Sequence, residues 1–490
     1  MNPSIAMMFL LYLVFMLLIG FYFYKRTNSL SDYILGGRGL NYWVAALSAQ
    51  ASDMSGWLLL GLPGAAYLVG MESIWIAVGL AVGTYLNWKF IARRLRIYTE
   101  EAGNSLTLSD YFVNRFADHN NLLRIVTSFF ILIFFLIYTA SGLVAGGRLF
   151  HTVFHFNYEL AVSIGALTVI SYTFLGGFMA VSWTDFFQGS LMFCAIVLVP
   201  SMGIVALGGL GMAQTEILAV HPELLNPFTG LDGNILPWMT VVSSLAWGLG
   251  YFGQPHILAR FMAIRRFEDI GKSRMVAMIW VVISLISAVV VGLVGRALIT
   301  PSLEGTSVEN VFMVLVESMF NPWVAGVLLA AILAAIMSTA DSQLLVTAST
   351  LSQDLYRPFI KPQASQRELV WVGRLTVIAV ALMAYLIALN PNNKVLDLVS
   401  YAWAGFGSAF GPAILFSLFY RRMTRKGAIA GIFTGGVVAL VWQQLSGGLF
   451  DLYEIVPGFI LASLAIVVVS IWDKPPTEAL TSVYDRVDEK

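Results

Sequence analysis

Asp53 stands near the middle of the apolar run 40–69, LNYWVAALSAQASDMSGWLLLGLPGAAYLV, with Ser48, Gln50, Ser52, Ser55 and Gly56 around it and Pro63-Gly64 beyond. A charge at the centre of a bilayer helix costs roughly 2.5–3.5 kcal/mol even on insertion scales. The run is also longer than the roughly 20 residues that a plain helix needs to cross hydrocarbon. Polar groups and glycine inside such a run read as a helix interrupted at membrane depth. Its freed backbone groups then face a cavity and can hold an ion or a small solute.

Two other stretches carry chemistry of the same kind. In 247–260, WGLGYFGQPHILAR, three glycines (Gly248, Gly250, Gly253) and Pro255 weaken a helix through backbone entropy and a missing amide donor. This is the second expected break, and Trp247 and Tyr251, four apart, are expected to share one face as an aromatic wall. In 331–345, AILAAIMSTADSQLL, Ser338, Thr339, Asp341 and Ser342 lie deep in a helix. The carbonyl of Ala335 precedes the two hydroxyls by three and four residues, so the three oxygens can converge. Hydroxyls and helix-end carbonyls suit Na⁺; the alternative is that each hydroxyl merely bonds back to its own i−4 carbonyl. Asp341, Ser342 and Asp185 (in GGFMAVSWTD) extend the polar region, for a further cation, a proton, an arginine partner or a gate. Residues 248–253 also match G-x-G-x-x-G, but no βαβ unit surrounds them, which removes the nucleotide reading.

The elements that position these residues follow from composition. Hydrophobic residues make up 58% of the 490 and charged residues 11%, with zero net charge and mean hydropathy +0.79. That is the balance of a polytopic membrane protein, not of a nucleic-acid binder. The one cysteine, Cys194, excludes an intrachain disulfide. Apolar runs of helix-spanning length predict thirteen spans, near 3–24, 40–69, 72–92, 125–147, 157–176, 184–207, 236–258, 275–297, 320–350, 369–389, 394–420, 426–447 and 453–472. The first run precedes Lys25-Arg26, the reverse of a signal peptide, so it is expected to be retained with its N-terminus outside. Loops 208–235 and 298–319 then fall outside and contain no Lys or Arg, whereas most basic residues fall inside. The same count puts the C-terminus in the cytoplasm, with 473–490 a short polar tail and no soluble domain.

The two breaks fall in the second and seventh spans, five helices apart. An odd number of spans per repeat inverts the second copy, which gives five-plus-five inverted halves with substrate and ion meeting at the discontinuous helices. The expected division is 1–39 first peripheral helix and loop, 40–235 first repeat, 236–422 second repeat, 423–472 two peripheral helices, and 473–490 tail.

At these residues the chain resembles the solute:sodium symporter family. The stretches ALSAQASDMSGWLLLGLPGA, LGGFMAVSWTD, WGLGYFGQPHILARFMA, AAIMSTADSQLL and SYAWAGFGSAFGP carry the likeness, in order, from the first span to the last. The resemblance implies a LeuT-like fold in a bacterial inner membrane and coupling of Na⁺ influx to L-proline uptake. It implies a sodium site of the carbonyls of Ala51, Met54 and Ala335 with the hydroxyls of Ser338 and Thr339, supported by Asp53. It places proline against Tyr138, Trp247, Tyr251 and Pro255, with Ser55 and Gly56 needed for tight use of both. Asp341-Ser342 is closer to the pattern of sugar and sialic-acid members, which bears on the number of sodium ions.

The residues themselves do not separate proline from another small solute. Two readings from other classes compete. Broken helices also line ion channels. His151 and His155, spaced i, i+4, could ligate metal or haem in a membrane redox enzyme, although no acid or histidine cluster lies deep in the membrane beside them. The remaining histidines, His119, His221 and His256, read as loop or interface residues.

Overall fold

The computed structural model describes residues 2–24, 30–173 and 177–489. Lys25 and Arg26, used above for orientation, and Leu175-Gly176 of the stretch LGGFMAVSWTD lie outside the described residues. Among the described residues every regular element is helical, apart from the isolated bridges Leu40–Ile264 and Thr229–Ile235. Ten stretches among them are long and apolar enough to cross a membrane, from Pro3–Tyr22 to Ile455–Trp472. The difference from the expected thirteen has a local cause. The two interrupted spans are divided into Tyr42–Asp53 and Leu62–Val69, and into Trp238–Ala246 and Pro255–Ala263, pieces of 8 to 12 residues. Tyr158–Thr173 is described over only 16 residues.

Polarity is distributed as a lipid solvent demands. Leu18, Leu167, Leu386 and Trp472 are largely exposed, while Gln50, Asp53, Asp185, Arg260 and Asp341 are almost fully buried. Polar groups that lipid cannot satisfy have been moved inward, where other helices can meet them. The span Pro322–Ile360 is 83% buried along its most apolar window and Val395–Phe419 equally so, against 28% for Pro3–Tyr22 and 33% for Ile455–Trp472. The hydroxyl-bearing helix Pro322–Ser349 and the helix Val395–Phe419 are therefore central, and the first and last spans peripheral.

The loops sort to two faces. On one, Arg38 bonds Asn104 and Ser105, and Leu40 pairs with Ile264. On the other, Arg148 reaches Thr306 and Asn393, and its guanidinium lies 3.4 Å from Glu309. The tail is not the plain polar end that was expected. Glu478–Glu489 is a helix docked on the first face, burying Tyr484 and Val487. Arg421 grips Asp485 through two bonds of 2.8 Å, and Arg94 pairs with Asp488. Its apolar residues Leu480, Val483, Tyr484 and Val487 recur at i, i+3, i+4 and i+7, a helical stripe.

Candidate functional site

The first break is short and well supported. The Asn41 side chain accepts the Val44 amide (2.9 Å) and starts the helix that ends at Asp53. Met54, at φ −78° and ψ 72°, turns its carbonyl out of the helical line, and the Ser55 amide donates to Asp53 O (2.9 Å). A widened turn over Trp57–Gly61 then leads into Leu62–Val69. The carbonyls released here find side-chain donors. Asp53 O accepts Tyr138 Oη (3.2 Å) and Trp57 Nε1 (3.1 Å). Ala51 O accepts Ser338 Oγ (2.7 Å) and Thr339 Oγ1 (3.3 Å), and Ser338 Oγ also reaches Ala335 O (3.2 Å).

Four of the five oxygen-bearing residues expected from the sequence, Ala51, Ala335, Ser338 and Thr339, are thus joined in one buried group, whereas no hydrogen bond among the described residues ties Met54 to it. Hard cations bind such mixed sets of carbonyl and hydroxyl oxygens. Each hydroxyl has two lone pairs besides its proton, so it can rotate its hydrogen aside and offer oxygen to an ion. The bland alternative applies to Ser342, whose Oγ donates to Ser338 O (2.9 Å) four residues back.

The second break is a 3-10 segment, Trp247–Gly253, after which Pro255 opens the next helix. Its carbonyls are also taken up: Trp247 O by Trp403 Nε1 (2.7 Å), Gly250 O by Gln254 Nε2 (3.1 Å), and Tyr251 O by Asn87 Nδ2 (2.9 Å). Tyr251 Oη donates to Asp53 Oδ2 (2.6 Å), so the two breaks are tied together through the Asp53 carboxylate. The single aromatic wall expected of Trp247 and Tyr251 is not formed. The Trp247 ring lies beside Trp57 (6.4 Å between centroids) and stacks on Tyr453 (5.5 Å), whereas the Tyr251 ring meets Trp403 edge-on (5.0 Å). In a 3-10 helix residues four apart point about 120° away from each other rather than along one stripe.

The glycines of this segment serve close approach. None of Gly248, Gly250 and Gly253 has a positive φ. A Cβ on Gly248 would lie 2.2 Å from Gly79 O, and one on Gly253 2.2 Å from Phe406 O. Gly56 is similar, with 2.9 Å to the Ala145 Cβ. Ser55 Oγ faces the Trp57 amide (3.4 Å), and Tyr138 stands between the break and His256 (6.0 Å between rings).

Towards the face bearing Arg38 lies a second buried polar group. Arg260 donates to Asp185 Oδ2 (3.1 Å), Ser48 Oγ (3.1 Å), Ser342 Oγ (2.5 Å) and His256 O (3.0 Å). Ser48 Oγ also donates to Asp185 Oδ2 (2.7 Å). Asp185 thus takes the arginine partner that was one of its sequence alternatives. Asp341 accepts Thr173 Oγ1, and its other oxygen has no partner among the described residues. Arg38 adds bonds to Met262 O (2.5 Å) and Thr99 Oγ1 (3.3 Å).

Several of these residues escape sequence reasoning. Trp403 and Asn87 hold the second break from other helices, and His256, expected at a loop or interface, is fully buried with neither ring nitrogen bonded among the described residues. A polar residue inside an apolar run was the available signal for Asn87 and His256. The His151–His155 metal pair has no helical face to share. The helix ends at Phe154, His155 is left-handed at φ 56°, and His151 Nδ1 is engaged with Phe156 O (2.6 Å).

The chain can be compared with known proteins. The sodium:solute symporter family model matches residues 33–435. The sodium/proline symporter of Salmonella typhimurium is 51% identical over 485 residues, which cover 98% of this chain and 95% of that one. Among solved structures, a Na⁺-coupled sialic acid symporter in a substrate-bound outward-open state has TM-score 0.81 at 19% identity, over 97% of this chain and 99% of that one. MhsT in complex with L-phenylalanine has TM-score 0.56 at 14% identity, over 87% of this chain and 97% of that one. These likenesses give an all-helical LeuT-like fold. With a family model spanning most of its length and a full-length relative at half identity, this multi-pass membrane transporter belongs to the sodium:solute symporter family.

Proposed function

We propose that this chain couples Na⁺ influx to the uptake of L-proline by alternating access. The observation that carries the reading is the group Ala51 O, Ala335 O, Ser338 Oγ and Thr339 Oγ1 at the first break, in a chain 51% identical to a sodium/proline symporter. Na⁺ would bind there, with the Met54 carbonyl completing the set. The Asp53 carboxylate would supply negative charge while Tyr251 fixes its position. Proline would lie against Tyr138, Trp247, Tyr251 and Pro255, with Ser55 and Gly56 lining the break.

Energetically, one Na⁺ moving down about 100 mV releases roughly 2.3 kcal/mol, and a tenfold gradient adds about 1.4 kcal/mol. Together they can drive several-hundredfold accumulation of a neutral zwitterion.

The same reading extends to topology. The stretch Trp57–Glu101 would divide between the second span, begun by Tyr42–Asp53, and the third; with Trp238–Ala246 and Pro255–Ala263 as one divided span, and Tyr158–Thr173, the ten stretches would become thirteen spans, with 40–235 and 236–422 as inverted repeats. Regions 1–39, 423–472 and 473–490 would be peripheral. The N-terminus would lie outside a bacterial inner membrane and the C-terminal helix in the cytoplasm, as the basic-residue bias favours. On that orientation Arg38 and the Arg260–Asp185 pair brace the cytoplasmic side. A second ion at Asp185, Asp341 and Ser342 would have to displace Arg260, so we favour closure as the role of that pair.

Purified protein in proteoliposomes tests the function. Radiolabelled proline should accumulate under an inward Na⁺ gradient and not under an equal K⁺ gradient; equal uptake with both, or none, defeats the proposal. Ser338→Ala and Thr339→Ala should each raise the Na⁺ concentration for half-maximal uptake by about two- to tenfold, the size of one neutral hydrogen-bonding contact. Because both oxygens would serve one ion, the double variant should depart from additivity. Unchanged Na⁺ dependence in both single variants at normal protein level would remove the ion from this group.

A further inference from the structure

Trp247 is stacked against a residue that no family motif above includes. Tyr453 precedes the peripheral helix Ile455–Trp472, yet it is anchored at three points. Its ring stacks on Trp247 at 5.5 Å and 29°, its hydroxyl donates to Ser400 O (2.6 Å), and its amide donates to Ser243 Oγ (3.0 Å). Ser243 lies one turn before Trp247, on the outer half of the second broken helix. Ser400 lies one turn before Trp403, whose Nε1 binds Trp247 O. The indole, its carbonyl and the turn before it are therefore all fixed from outside the broken helix.

This anchoring sits at a boundary. A cavity of about 450 Å³, here called the vestibule, lies beside the segment 442–454, and Trp247, Tyr453, Ser243 and Ser400 line it. Trp247 also lies beside Trp57, which belongs to the first break. Trp247 therefore touches the vestibule, Tyr453 and the first break at once.

We infer that Tyr453 is a positioning residue for Trp247, holding the indole as the outer lid of the proline chamber. This rests on the reading of Trp247 as a proline-contacting residue. A peripheral span thereby takes part in substrate access. The contacts involved, one aromatic pair and two neutral hydrogen bonds, are each weak enough to break and re-form in every cycle.

The test uses the full-length protein in proteoliposomes. Tyr453→Ala should raise the proline KM about three- to tenfold, the weight of an aromatic pair, with kcat little changed. Tyr453→Phe, which keeps the ring, should restore KM. Trp247→Ala combined with Tyr453→Ala should be no worse than Trp247→Ala alone, because the tyrosine acts through the indole. Additive effects, an unchanged KM in Tyr453→Ala, or a Tyr453→Phe variant as weak as Tyr453→Ala would overturn the inference. If Tyr453→Ala does not fold, Tyr453→Leu takes its place in the same cycle. A substrate-free measurement separates this idea from the proline assignment. In a Cys194→Ser background, Ser55→Cys should react faster with an impermeant maleimide from the vestibule side when Tyr453 is truncated. Wild-type protein that does not carry proline defeats the functional proposal alone; an unchanged labelling rate defeats the lid.

Discussion

Asp53→Asn is expected to raise the Na⁺ concentration for half-maximal uptake by about ten- to a hundredfold, the weight of a buried charge-assisted contact. The carboxylate is fully buried, Oδ2 accepts Tyr251 Oη at 2.6 Å, and Oδ1 has no partner among the described residues. A buried carboxylate with half its acceptor capacity unused calls for a cation nearby. Asparagine can still accept from Tyr251, so the tie between the breaks survives. What disappears is the negative charge, and the new amide becomes an unsatisfied donor where Oδ1 stood. Tyr251→Phe removes only the neutral partner and should have the smaller effect on Na⁺. Uptake measured against Na⁺ at fixed proline, with protein quantified in the vesicles, separates the cases. An unchanged Na⁺ dependence would exclude the carboxylate from ion binding. A change in proline KM alone would move it to the substrate.

The breaks were legible because each puts polar or helix-weakening residues inside an apolar run, a local contradiction that only a cavity resolves. Asp53 with Ser55-Gly56, and Gly250 with Pro255, announce themselves in that way. The hydroxyl pair Ser338–Thr339 was legible for the same reason, and its meeting with Ala335 follows from helical spacing. Its meeting with Ala51 does not, since 287 residues separate Ser338 from that carbonyl. The Arg260–Asp185 pair and the Trp403–Trp247 bond are long-range in the same sense and leave no trace in periodicity. The orientation of Tyr251 was misjudged because an α-helical stripe was assumed where the chain tightens to 3-10. The docked C-terminal helix was missed despite a visible stripe, because its charges made it resemble a solvated end.

Gly250→Ala should lower the amount of folded protein severalfold, by overpacking that typically costs about 1–3 kcal/mol and here has little room to relax. A Cβ at this position would lie 1.9 Å from Trp403 Nε1. That indole cannot swing away freely: its nitrogen holds Trp247 O at 2.7 Å, its ring meets Tyr251, and it is 1% exposed. Because Gly250 does not adopt a positive φ, the penalty is steric and should respond to space made opposite it. Trp403→Phe removes the nitrogen that the new methyl strikes, so Gly250→Ala/Trp403→Phe should recover part of the protein level lost by Gly250→Ala. Gly253→Ala should gain nothing from the same change, since its Cβ would meet the backbone carbonyl of Phe406 at 2.2 Å, which no side-chain replacement can remove. Membrane levels and thermal stability of fluorescent fusions by size-exclusion chromatography give the comparison. Normal level and stability for Gly250→Ala, or equal rescue of both glycine variants, would mean that conformational freedom and not close packing selects glycine in this break. The contrast also fixes how the second break is held: one wall is an adjustable side chain, the other an unyielding peptide.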